Sequence, residues 1–322
     1  MHQCIHQKVQ LKKATVHNNI FKYNLILLIT LCVTPFISNA ANADKEIFTY
    51  MAPNGINDTR YLYEKQLLTL ALDLTKAKYG DYKLLPSQPN ISVKQTELLA
   101  KNGHFKNFFF KFSYSDALAN KLLAIPFPID RGIAGYRVSL IAQSNQALLK
   151  NVKNIRQLKN KTIVQGVGWL DSNILSANGL SVFTIAKYNK MFEMIANERA
   201  ELFFRGINEW LNEYKIMQTH QPNISYDKHI ALHYALPRFF FTSQNNTKNA
   251  KRVQQGLLKA YQTGQLQTLW RSHYAKSIQA SQLSTRHLIK LKNPYIKNLG
   301  TQHQQYNFTM QELKKIENSN LK

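Results

Sequence analysis

Twice along the chain, short runs of β-branched and aromatic residues alternate with segments of helical period, and this repeat restricts the fold more than any other feature. In the first unit, strands are expected at Glu46 to Met51, Tyr82 to Leu85 and Asn107 to Phe112, with helices over Tyr61 to Tyr79 and Val93 to Lys101. Pro53-Asn54-Gly55 supplies a turn after the first strand. The second unit repeats the pattern, with strands at Thr162 to Gln165, Val182 to Ile185 and Ala200 to Phe204. Its helices are expected over Ile155 to Lys159, Asp171 to Ala177, Lys190 to Asn197 and Ile207 to Met217. Alternation of this kind implies sheets with parallel strands and helices on their faces. Extended stretches at Tyr136 to Ile141, Ile230 to Leu236 and Phe239 to Thr242 join the units, and helices over Ala250 to Thr263 and Gln265 to Ala275 return to the first. The expected class is α/β with two lobes. Residues 44–140 and 234–275 form the first lobe, 141–233 the second, and 276–322 a basic, polar C-terminal tail with a strand at Leu288 to Leu291.

Residues 1–43 read as a segment apart. Lys8, Lys12, Lys13 and Lys22 precede an apolar run, Leu25 to Ile37, which ends at the small-residue sites Ser38-Asn39-Ala40 and Ala41-Asn42-Ala43. That is the layout of a secretory signal peptide cleaved near Ala40 or Ala43, and it predicts a periplasmic protein. Both cysteines, Cys4 and Cys32, fall inside it, so the exported chain has no thiol for a disulfide, a metal or a nucleophile. The formal charge of +24 is large enough to raise the question of nucleic acid. The lysines are scattered among asparagines and glutamines instead of forming a stripe, which argues against it.

Enzyme signatures are thin. There is no His-Glu-x-x-His and no Gly-x-Ser-x-Gly, and Ser225-x-x-Lys228 lacks its companion motifs. His229 and His233 have a spacing that would share a metal on a helix, but their surroundings read as a strand, which separates the rings. Glu209 and Glu213 share a helix face, as many solvated pairs do. More informative are two arginines at the ends of apolar strands: Arg137, within Gly135-Tyr136-Arg137-Val138, and Arg205, after Leu202-Phe203-Phe204. A guanidinium in each half of a two-lobed chain suits an anion held between them, because its fork matches a carboxylate. Ligands of open α/β sheets sit beyond the carboxyl ends of the strands. There the second unit offers Gly166-Val167-Gly168-Trp169, with Asp171 at a helix start as a cap or a contact. Tyr136 and Trp169 are the expected walls, and Asn57, Arg60 and Ser115 the polar contributors from the first lobe.

These stretches carry a resemblance. Ser113-Tyr114-Ser115-Asp116 through Gly135-Tyr136-Arg137-Val138-Ser139-Leu140-Ile141 is similar to the serine-led segment that ends in an arginine in the amino-acid-binding family of type II periplasmic solute-binding proteins. Leu158 to Ile163 with Gly168 resembles that family's second-lobe opening, Arg199-Ala200-Glu201 its Arg-x-Asp, and Gln255-Gly256-Leu257 to Gly264 its closing helices. The resemblance implies a non-enzymatic, cofactor-free monomer that closes around a small anionic organic ligand, amino-acid-like or carboxylate-like. Its partner would be the permease of an ABC-type importer or a sensor. It also implies that Arg137 holds the ligand carboxylate. The family's amino-group anchor, an acid after the last second-lobe strand, is missing or moved here, since Phe204-Arg205-Gly206-Ile207 has no acid until Glu209. A ligand-free interaction protein of the same fold and an exported hydrolase are the rival readings.

Overall fold

A computed structural model describes residues 45–53 and 61–319. The expected leader, its cleavage site, Asn57 and Arg60 lie outside the described residues.

β1 (Glu46–Tyr50) is followed by α1 (Leu62–Asp73), the short α2 (Lys76–Tyr79), β2 (Tyr82–Pro86), α3 (Val93–Lys101), β3 (Phe108–Ser113), α4 (Asp116–Ala119) and β4 (Leu123–Ala124). β5 (Tyr136–Ala142) leads into β6 (Thr162–Gly166), α5 (Leu170–Ala177), β7 (Ser181–Ile185), α6 (Tyr188–Ala196), β8 (Phe203–Gly206), α7 (Trp210–Gln218) and β9 (Ile224–Tyr226). The chain ends with β10 (Ile230–His233), β11 (Arg238–Thr242), α8 (Thr247–Gln262), α9 (Gln265–Ser281), β12 (His287–Lys290) and α10 (Met310–Glu317).

Local chemistry sets several of these boundaries. Ser92 caps α3 in a reciprocal box, accepting from Gln95 N at 3.3 Å while its own N–H donates to Gln95 Oε1 at 2.9 Å. Thr309 and Glu312 do the same for α10. Ser115, expected at the ligand, is the cap of α4: its Oγ accepts from Leu118 N at 3.2 Å.

The first lobe holds a sheet of order β2-β1-β3-β11-β4, with β1 parallel to β2 and β3 and β11 antiparallel to β3 and β4. The second holds β12-β10-β5-β8, with β9 also on β5; the parallel pair β6-β7 leans on β8 through a bridge between Ile163 and Leu202. β5 pairs with β10 and β8 from Tyr136 onward, so the first crossing is complete before Tyr136 and not at residue 140. The second crossing runs through Tyr234 to Pro237, between β10 and β11.

The first lobe's helices pack closely because one position carries no side chain. A Cβ at Gly256 of α8 would meet the carbonyl oxygen of Ala71 on α1 at 2.1 Å. Gly256→Ala should therefore push α1 and α8 apart and cost about 1–3 kcal/mol, the usual penalty of overpacking. Chemical denaturation checks this, and an unchanged midpoint would contradict it.

The last segment departs from a solvated tail. α9 extends past residue 275 to Ser281, β12 pairs in parallel with β10, and the chain then returns to the first lobe. There Asp116 N donates to Tyr295 O at 2.8 Å, and Phe308 N donates to Arg131 O at 2.9 Å. Arg131 forms a fork with Glu312 at 3.0–3.1 Å and lies over the Trp270 ring at 5.1 Å. Widely spaced apolar residues (Ile289, Phe308, Leu313, Ile316) are what bury it. Among the described residues, no helix is long and apolar enough to cross a membrane.

Candidate functional site

Between the lobes lies a cleft of about 940 Å³, lined from the first lobe by Lys111, Ser113, Ser115 and Arg238 and from the second by Trp169, Asp171, Arg205, Asn208, Glu209 and Glu213. Its chemistry is set by how four basic side chains are matched to acids.

Arg137 is fully buried and does not line the cleft. One terminal nitrogen pairs with Asp171 Oδ1, the other donates to Glu209 Oε1 at 3.2 Å, and the guanidinium lies 5.6 Å from the Tyr234 ring centre. Asp171 Oδ1 also accepts from the Tyr234 hydroxyl at 2.6 Å. Asp171 sits in the first turn of α5, where the helix dipole favours negative charge, and Trp169 occupies the cap position. The expected open fork at Arg137 is thus replaced by an internal pair, because the acids that match it come from α5 and from the start of α7.

Arg205 lines the cleft but is likewise matched. Its Nε and one terminal nitrogen hold Glu213 in a fork of two 2.6 Å hydrogen bonds, and it lies 3.1 Å from Glu209. The guanidinium stacks over Trp169 at 4.7 Å, and the Tyr188 hydroxyl donates to Glu213. Trp169 folds back onto Gly166, where a Cβ would meet its ring at 2.3 Å; the first glycine of Gly166-x-Gly168 therefore makes room for the indole. In the first lobe, Lys111 pairs with Glu64.

Tyr136 is placed elsewhere. It stacks on His233 with ring centres 4.3 Å apart and on Phe308 at 5.4 Å, so the returning C-terminal segment covers it instead of the cleft. Burial holds the His233 imidazole below its usual range, helped by Lys290. Ser115 and Trp169 do line the cleft.

The Arg238 guanidinium, at the first residue of β11, donates no hydrogen bond among the described residues. Among the described residues it forms one ion pair, with Glu209 Oε2 at 3.6 Å, beyond hydrogen-bond range, and its side chain is 11% exposed. Burial works against its charge, but Glu209, Asp130 and Asp171 more than compensate and hold it protonated. Glu209 is the complementary group. Burial alone would raise its carboxyl, yet Arg205, Arg238, Arg137 and Lys111 reverse this and keep it well below the usual carboxylate range. Its Oε1 accepts from Arg137 and from Gly206 N, at 3.2 Å each, while Oε2 makes no hydrogen bond among the described residues. Residue patterns mark Glu209 only as half of a helical acid pair and pass over Arg238. Arg238 precedes the apolar run Phe239-Phe240-Phe241, the same boundary grammar that drew attention to Arg137 and Arg205, and could have been found by it.

No family model and no curated protein sequence matches the chain. Solved structures do. An ancestral arginine-binding protein bound to arginine superposes with a TM-score of 0.53 at 12% identity, over 71% of this chain and 99% of that one. A Salmonella typhimurium periplasmic binding protein of high arginine specificity gives 0.52 at 10%, over 71% and 99%. A histidine kinase sensor domain similar to periplasmic binding proteins gives 0.51 at 11%, over 71% and 96%. The fold is that of a type II periplasmic binding protein.

Arg205, Arg238, Asp171, Glu209 and Glu213 all line the cleft between the two lobes. Among the described residues no group of three or more His, Cys, Asp and Glu could hold a metal ion.

Proposed function

We propose that the chain is an exported, non-enzymatic solute-binding protein whose lobes close on a small organic ligand carrying a carboxylate next to an amine. One observation carries this reading: Arg238 and Glu209 Oε2 face each other at 3.6 Å in the cleft, both charged and neither hydrogen-bonded to the other. A ligand carboxylate suits the guanidinium fork and an ammonium suits the free carboxylate oxygen. Arg137 from behind and Arg205 from the cleft wall hold Asp171, Glu209 and Glu213 in place. This shifts the reading from a purely anionic ligand toward a zwitterion. The amino-group anchor that the strand end at Arg205 lacked is supplied by Glu209, at the start of the next helix. Trp169 forms a wall, and the Ser115 hydroxyl, used as an acceptor at the cap, keeps its proton for the ligand. The likeness to both an arginine-binding protein and a kinase sensor domain suits either an importer or a sensor as the partner. Hinge motion at the two crossings would close the lobes.

A thermal-shift panel tests the reading with L-arginine, L-glutamine and L-norleucine as zwitterions, succinate as a dianion and putrescine as a diamine. At least one zwitterion should stabilise the protein, by about 2.7 kcal/mol at a hundredfold excess over its dissociation constant, while succinate and putrescine do not. Stabilisation by succinate alone would restore the anionic reading, and no shift with any compound would remove both.

A further inference from the structure

The cleft grades from charged to apolar along one helix. Glu209 at the start of α7 and Glu213 one turn later face the buried charges, and Ile216 and Met217 continue the same lining outward. From Glu209 to Ile216 the helical rise is about 10 Å. Ile216 is 46% exposed, and the first lobe contributes Leu62 of α1, 44% exposed, and Val93 at the start of α3 to the lining of the same cleft. Single exposed apolar residues are ordinary; several converging from both lobes on one opening mark a groove for a ligand. The space is more than a small amino acid fills, since 940 Å³ stands at the upper end of pockets that take drug-sized molecules. Nor is it a gap held wide open, because a Cβ at Gly168 of the second lobe would already touch Val93 of the first at 3.9 Å.

Resting on the zwitterion reading above, we infer that the ligand is an amphipath: its charged head lies at Arg238 and Glu209, and an unbranched apolar tail runs along α7 to Ile216, Met217 and Leu62. The site thus selects for tail length, and Ile216 is the residue that reads it.

The test is calorimetric titration with L-alanine, L-norleucine and L-2-aminooctanoic acid, which share a head and differ only in methylenes. Affinity should rise roughly fourfold per methylene buried in the wild type. Ile216→Glu, on an exposed helix face, should flatten that series. Phe183→Ser, an exposed residue of β7 outside the cleft lining, should keep it. Binding of all three probes with no rise would overturn the tail while leaving the head reading standing. A rise that persists in Ile216→Glu would overturn its placement along α7. Failure of every probe to bind a wild type that L-arginine or L-glutamine stabilises would overturn the apolar tail alone; if no zwitterion of the thermal-shift panel stabilises it either, the zwitterion reading and the inference fall together.

Discussion

Arg137→Ala is expected to melt about 10 °C below the wild type, although the residue touches no part of the cleft surface. Removing one partner of a buried ion pair costs about 3–5 kcal/mol, and in a chain of this size each kcal/mol is worth roughly 2–4 °C. The reason is what remains behind. Asp171 would keep only the Tyr234 hydroxyl on Oδ1, and Glu209 would lose one of the guanidiniums that hold it ionised. A carboxylate left buried without its cation pays its desolvation penalty in full. Adding Asp171→Asn to Arg137→Ala should recover part of the loss, since one orphaned charge is then gone. A single Arg137→Ala protein that melts with the wild type would show that this network does not brace α5 and the start of α7 against β5.

That expectation reverses what the residues around Arg137 suggest when read alone, and the reversal shows where legibility stops. The alternation of strands and helices was readable because periodicity is local: apolar runs such as Phe108 to Phe110 and Leu202 to Phe204 announce buried strands within a few residues. Strand-end arginines were readable for the same reason. Their partners were not, because Asp171 and Glu209 reach Arg137 only after the chain has built α5 and α7. Glu209 and Glu213 have the spacing of any solvated helical pair, and only the packing of α7 against the cleft distinguishes them. The fate of Tyr136 was hidden in a different way. The segment that covers it is polar, with apolar residues too widely spaced to show a period, so it reads as a tail although Phe308, Leu313 and Ile316 are each buried. Local patterns thus gave the order of strands and helices, while the partners of Arg137 and Arg205 are set by tertiary packing.

Arg238 is the point on which the functional account turns. Its guanidinium makes no hydrogen bond among the described residues, while Glu209 keeps Arg137 and Arg205 whether or not Arg238 is present. Arg238→Gln should therefore lower the melting temperature less than Arg137→Ala does. For binding, truncating one side of a desolvated charge pair costs about 2–5 kcal/mol. The deciding measurement is a calorimetric titration of wild type and Arg238→Gln with whichever zwitterion of the thermal-shift panel stabilises the wild type most. The account predicts an affinity lower by that amount in a variant that is still folded. Equal affinity in the two proteins would contradict it, and would return the search for the carboxylate anchor to the other groups of the cleft.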